Sequence, residues 1–504
     1  MNKFIYAFLF FYCAVHSSAC GQQVQKTLAD KTGLFDKYIQ SSIPLWKTTG
    51  LSVAVVKDGK TIFKKGYGIT NMNKPQPFTT STISFCASTT KAMTAACIGM
   101  LVDEGKLQWD DKLKNILPAF RLYDPYVSDE ITVRDLLRHN AGLGNGDLLW
   151  LFGYPADKII ESMKYMQPAY SMRSSFIYQN LMYVVAGEVI KKISGMPWSE
   201  FIKKRLFQPL GMNHTYTSFK QSVNEPSRMT PHFNLGDTMI KPIEALDFGE
   251  YDPAGSVVSC IDDITKWMIF LQDSAVVDGR RLIKAETFAE FFKPQAIIPL
   301  SQFYPTAALT KPHWTTYGLG WFQQDYNGKM IQYHTGSLDG AIAIFGFIPE
   351  EKLSIYIFGN LDHSEIRHAL LWKAIDLWSF NDNSRDWSTE LHTYYGKLKE
   401  EAAKEEKETA VKRVLNTRPS LAPEKYTGRF SNAVYGDATI TLEGNQLRLK
   451  FPNNINLTLD HWHFDVFKGK YDYIWFPDSW INFSFSNEGT VTGFDFDGNT
   501  YIRL

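Results

Sequence analysis

Residues 88–103 read Ser-Thr-Thr-Lys-Ala-Met-Thr-Ala-Ala-Cys-Ile-Gly-Met-Leu-Val-Asp, and the reading of this run decides the fold. Met93, Ala96, Cys97, Met100 and Leu101 recur at helical spacing, which predicts a buried helix with Ser88 at its N-terminus. Residues three apart share a helical face, so the Lys91 amine is set beside the Ser88 hydroxyl. Backbone N–H groups and the positive dipole end favour an oxyanion forming there. Lysine serves as a base only when neutral, and desolvation together with the helix N-terminus disfavours its cation. By itself the pair is weak evidence. An N-capping serine followed by a surface lysine reads the same way, and a chain this long holds on the order of two such pairs by chance.

On both sides of this helical region the sequence turns to strands. Leu51 to Val56 is rich in β-branched residues, Asp58-Gly59 makes a turn and Thr61 to Tyr67 returns, a hairpin signature. From Ser88 to about Gln272 the apolar residues mostly keep helical spacing, punctuated by Gly105, Gly142, Gly195 and Gly211. Strands resume from Tyr317 to Gly359, with an Asn327-Gly328 turn and alternating segments Ala341 to Ile348 and Leu353 to Phe358. A helix follows from about Ser364 to Phe380. Strands at both ends of a helical insertion imply one antiparallel sheet flanked by helices, an α+β body with a helical subdomain over residues 30–385.

Residues 386–420 are dominated by Lys, Glu and Ala and predict a solvated helical linker. Residues 421–504 change character again. Ala438 to Leu442, Gln446 to Phe451, Tyr473 to Phe476, Ile481 to Phe485 and Gly493 to Asp497 alternate between Gly and Asn turns, predicting a small all-β barrel or sandwich. Trp462, Phe464, Tyr471, Tyr473, Trp475 and Trp480 are expected in its core, since a small barrel must fill itself. A carbohydrate-binding platform is the alternative for these rings.

With 504 residues, 44% of them hydrophobic, the chain can bury several domains' worth of core. A formal net charge of zero, mixed in sign along the chain, gives no footprint for nucleic acid. Lys3, the apolar run Phe4 to Val15 and the small residues Ser17, Ser18 and Ala19 read as a secretory signal over residues 1–20. Ser-Ser-Ala-Cys leaves two readings open, simple cleavage before Cys20 and lipid attachment to it. The expected location is therefore exported and periplasmic, with any membrane anchoring only through Cys20. Cys20, Cys86, Cys97 and Cys260 match neither a disulfide scaffold nor a zinc site and are expected as thiols. His461 and His463 could share a strand face as metal ligands, but no third ligand is evident.

Two further elements carry chemistry. Tyr178-Gln179-Asn180 opens another helical run, where Tyr178 can relay a proton and Asn180 can hold a substrate amide. His334-Thr335-Gly336 ends a strand and is followed by Ser337. There Gly336 permits close backbone approach, and the strand can supply a second oxyanion N–H.

In this order and spacing, the three elements resemble the Ser-x-x-Lys, Tyr-x-Asn, Lys/His-Thr-Gly set of class C β-lactamases and related penicillin-binding hydrolases. Leu136-Leu137-Arg138-His139-Asn140-Ala141-Gly142-Leu143 is similar to a family segment, as is Pro253-Ala254-Gly255-Ser256. The resemblance covers about residues 35 to 380, and the C-terminal region resembles the accessory β-barrel often appended to such hydrolases. It implies Ser88 as nucleophile, Lys91 and Tyr178 sharing general-base and general-acid work, and Asn180, His334, Thr335 and Gly336 as substrate-binding residues. It further implies an oxyanion hole from the backbone N–H groups of Ser88 and Ser337, with no metal or cofactor. The implied function is a serine hydrolase acting on a small-molecule or peptide substrate, a β-lactam, D-amino-acid peptide or small ester, through a Ser88 acyl-enzyme. The alternative is a non-catalytic penicillin-recognising envelope protein. One departure is chemical. Members that bind a substrate carboxylate mostly carry lysine where His334 stands.

Overall fold

Asp58 and Gly59 both adopt left-handed backbone, φ 51° and 70°, the turn geometry that matches strand twist in a two-residue hairpin. Around it, β1 (Gly50–Lys57) folds back on β2 (Lys60–Gly68). Asn327 and Gly328 repeat the device at φ 47° and 80°. The computed structural model describes residues 30–236, 239–245 and 253–504; the leader reading and Cys20 lie outside them.

The body is an eight-stranded antiparallel sheet. Its later strands are β3 (Ala296–Ile297), β4 (Thr315–Tyr317), β5 (Phe322–Tyr326), β6 (Lys329–Leu338), β7 (Ala341–Ile348) and β8 (Leu353–Gly359). Their order is β2-β1-β8-β7-β6-β5-β4-β3. Val53 opposes Ile357 and Val55 opposes Ile355, so the first hairpin and the last strands do share one sheet. One outer edge, β2, carries exposed Lys60, Lys64 and Lys65; the other, β3, is two residues long.

β7 and β8 are buried on both faces, unlike a half-solvated alternating strand. Ile342, Ile344, Ile355 and Ile357 point into one apolar layer, while Phe345, Phe347, Tyr356 and Phe358 point into the other. The first layer is closed by α1 (residues 30–46) and α6 (Ile366–Ile375), the second by α2 (Thr90–Asp103) and α5 (Ile261–Gln272). The helical section also holds α3 (Asp147–Leu151) and α4 (Leu181–Ser194). It includes two short two-stranded ribbons, Ser84–Phe85 with Val258–Ser259 and His232–Leu235 with Met239–Pro242, which helical spacing did not foretell.

The expected solvated linker is only partly solvated. Helix α7 (Trp387–Val411) begins in the core, where Trp387 and Leu391 are buried and the Trp387 Nε1 donates to Asp376 Oδ2 at 2.6 Å. Its Lys/Glu-rich remainder is exposed.

The C-terminal strands close into an eight-stranded barrel. They are β9 (Gly428–Asn432), β10 (Gly436–Glu443), β11 (Gln446–Lys450), β12 (Asn456–His463), β13 (Val466–Tyr471), β14 (Ser479–Phe485), β15 (Val491–Phe496) and β16 (Asn499–Arg503). Tyr473–Phe476 is a loop, not a strand, and its six expected core aromatics are not interior. Phe464 is exposed and the other five are half-buried. The interior is filled instead by Phe430, Phe467, Phe483, Phe494, Phe496 and Tyr501. His461 Nε2 lies 2.9 Å from the Phe464 carbonyl and His463 Nδ1 accepts from the Val414 N–H, so both rings serve the barrel's own contacts.

The one-turn helix Val133–Leu136 leads to the site and is held by Asp135, whose side chain is fully buried. Burial alone would raise its pKa. Arg173 at 2.6 Å, Arg138 and the Thr132 N–H more than reverse this and hold it at about 2. A carboxyl depressed in the folded state stabilises above its ordinary pKa, and that stabilisation is lost as pH falls through the folded value. Asp135→Asn is therefore expected to lower stability by about 2 kcal/mol at pH 7, with the deficit shrinking between about pH 4 and pH 2 in urea titrations.

Candidate active site

Ser88 sits on a single 3₁₀ turn, Ala87–Thr89, immediately before α2. Ala87 is left-handed at φ 47°, a strained conformation for a residue with a Cβ, worth about 1 kcal/mol or more. Lys91, one turn on, is fully buried. Its Nζ lies 3.1 Å from Ser88 Oγ, 2.7 Å from Asn180 Oδ1 and 2.8 Å from the Ala254 carbonyl. Of these partners the Asn180 and Ala254 oxygens can only accept, so they take two N–H bonds. In the neutral amine the remaining position, the lone pair, falls on the Ser88 hydroxyl.

Asn180 is the N-cap residue of α4, and both ends of its amide are engaged: Oδ1 by Lys91, Nδ2 by Asp147 Oδ1 at 3.0 Å. It bridges Lys91 and Asp147 within the site. Tyr178 stands two residues earlier, its ring 4.8 Å from Lys91 Nζ. Its buried hydroxyl faces Ser88 without a hydrogen bond of good geometry, and burial pushes its pKa well above the ordinary range. It is therefore a proton donor at neutral pH. His139 packs on Tyr178 at 4.3 Å and accepts from the Gln179 N–H at 3.0 Å. Burial first, and then Lys91, keep His139 neutral.

Strand β6 brings the third element alongside. A Cβ on Gly336 would stand 2.3 Å from the Cys86 carbonyl oxygen, so glycine is what lets the strand lie against the Ser88 turn. This places the Ser337 segment opposite the Ser88 backbone. His334 faces the same side and is buried. Its Nε2 is 2.9 Å from the Tyr317 hydroxyl and its Nδ1 is 2.6 Å from the Thr335 carbonyl. Desolvation, reinforced by Lys91, lowers its pKa to about 3, so it carries no charge near neutrality. Thr335 points to the opposite face, where its hydroxyl pairs with Tyr304 at 2.8 Å. Strand alternation sets this side chain across β6 from His334 and Gly336.

Two residues without a sequence signal complete the arrangement. Asp147, on α3, anchors Asn180. Arg367, buried on α6, donates to the Gly336 carbonyl at 2.6 Å and to Ser337 Oγ at 2.8 Å, and pairs with Glu365 at 2.9 Å. It clamps the strand from behind. Among the described residues no three His, Cys, Asp or Glu side chains are grouped so as to hold a metal ion.

Sheet, helical insertion and this constellation define a hydrolase of the β-lactamase and penicillin-binding-protein class. The chain belongs to the Beta-lactamase family, whose model matches residues 42–377. Residues 412–502 match a domain of unknown function (DUF3471). Unguisins hydrolase ungD' of Aspergillus campestris is 27% identical over 424 residues, covering 81% of this chain and 77% of the relative. Protein flp of Staphylococcus aureus is 23% identical over 339 residues, 66% of this chain and 64% of the relative. The fold is shared with the octameric penicillin-binding protein homologue from Pyrococcus abyssi, with a TM-score of 0.62 and 20% identity, covering 94% of this chain and 99% of that one. It is also shared with D-amino acid amidase from Ochrobactrum anthropi SV3, TM-score 0.54, 22% identity, covering 69% and 98%.

Proposed function

We propose that this protein is an exported serine hydrolase that opens an amide or ester bond of a small molecule or peptide through an acyl-enzyme on Ser88. The observation that carries the reading is the buried Lys91 amine, with two pure acceptors on two sides and Ser88 Oγ on the third. Neutral Lys91 takes the Ser88 proton as Oγ attacks the carbonyl carbon. The oxyanion is received by the N–H groups of Ser88 and Ser337, Tyr178 gives a proton to the leaving group and is reprotonated from Lys91, and water then releases the acyl chain and restores the Ser88 hydroxyl. The leader read in residues 1–20 supports export. Relatives named as an unguisins hydrolase and a D-amino acid amidase support hydrolysis of an amide, with D-amino acid amides as the first substrates to try.

His334 is neutral, and Lys91 and Arg367 are engaged by internal partners, so the site offers a substrate carboxylate little attraction. Neutral esters and D-amino-acid anilides are expected to turn over with kcat/KM about tenfold or more above benzylpenicillin, a difference of about 1.4 kcal/mol. The test is intact mass and peptide mapping after a fluorophosphonate, followed by rates on that substrate panel. A stable penicillin preference would sink the charge argument, and absence of any Ser88 adduct would return the chain to the non-catalytic binding reading.

A further inference from the structure

Asp147 and the barrel are joined by one turn of helix. The barrel grips the far end of α3 and the segment after it: Asn453 Nδ2 donates to the Leu151 carbonyl at 3.1 Å, and Phe451 stacks on Phe152 with ring centroids 4.9 Å apart. The Tyr154 hydroxyl donates to the Tyr435 carbonyl at 2.9 Å. Leu151 lies four residues from Asp147, about 6 Å along the axis. α3 also presents Trp150 to the site, close to where side-chain atoms on Gly255 would stand. At the near end, Asp147 accepts from its own loop, the Asn145 Nδ2 at 2.9 Å, and from Asn180 Nδ2.

The chemistry of that last contact matters. An ionised carboxylate only accepts, so Asp147 fixes which end of the Asn180 amide faces it: Nδ2 toward Asp147, Oδ1 toward Lys91. Turned over, the amide would offer N–H to Lys91 and compete with Ser88 for the amine's lone pair. We propose that the C-terminal barrel is an activating element of the catalytic centre: by holding the end of α3 it keeps Asp147 on Asn180, and Asp147 is the positioning residue that orients Asn180 for Lys91. This assigns a task to the barrel, whose interior is packed with its own aromatic side chains.

The inference rests on Ser88 as the nucleophile, and a double-mutant cycle in the full-length protein separates the two. One arm is Asp147→Ala. The other is Tyr154→Phe with Asn453→Gly, which deletes the two hydrogen bonds that tie this segment to the barrel; Asn453 is left-handed at φ 57°, so glycine introduces no strain. The readout is the rate of Ser88 labelling by a fluorophosphonate, with thermal midpoints measured alongside. Asp147→Ala is expected to slow labelling about tenfold and the interface pair about threefold, with the combination no slower than Asp147→Ala alone, since both act through one group. Independent, multiplying effects would overturn the inference, as would interface variants that melt earlier yet label at the parental rate. A parental protein that does not label at all would overturn the reading of Ser88 itself.

Discussion

Ser88→Ala is expected to abolish covalent labelling and to lower kcat on a p-nitrophenyl ester by at least about 10⁴-fold, with any residue of activity independent of Lys91. The size follows from the mechanism. Without Oγ there is no acyl-enzyme, and what remains is the acceleration that oxyanion donors and binding give to direct attack by water. The fold should not register the change, because Ser88 is half-exposed and Lys91 keeps its bonds to Asn180 Oδ1 and the Ala254 carbonyl. Labelling of Ser88→Ala at another serine, with turnover intact, would place the nucleophile elsewhere.

Lys91→Met is expected to slow labelling and kcat by about 10³-fold, and Lys91→Arg is expected not to restore either. Methionine matches the lysine stem in length but cannot accept the Ser88 proton. Arginine stays protonated at any working pH, and its planar fork cannot place a lone pair on Oγ. Methionine also removes the donor that Lys91 gives to the buried Asn180 Oδ1, at about 1–3 kcal/mol. Rates should therefore be taken well below the variant's thermal midpoint. A methionine variant labelled within tenfold of the parent would show that another group takes the proton.

Local chemistry explains which parts of this protein could be read in advance. Asp58-Gly59 and Asn327-Gly328 announce hairpins because few residue pairs accept two successive positive φ values. Ser88 and Lys91 announce a shared helical face because their spacing is short. The segment around His139 is legible as a family motif, but the role of His139, a neutral ring wedged on Tyr178, depends on partners 39 to 44 residues further on. Asp147 and Arg367 had no local signal at all: each matters only through a side chain or carbonyl some 30 residues away, brought near by the sheet or by α4. In the barrel, Tyr473–Phe476 alternates like a strand but is a loop, whereas β13, written Val-Phe-Lys-Gly-Lys-Tyr, carries lysines and a glycine that dilute its alternation. That glycine has a use: a Cβ on Gly469 would stand 2.6 Å from Ile481 of the next strand.

The two margins of the large sheet bear on how copies of this protein meet. An open margin invites a strand from a neighbour, and proteins discourage this with charge or with brevity. Lys60, Lys64 and Lys65 put charged side chains along one margin, the last two paired with Asp262 and Asp36, and at the other, two residues are too few to template a ladder. Among the described residues, the large sheet therefore gives copies little to extend strand to strand, and contacts between them are expected on helical or barrel surfaces.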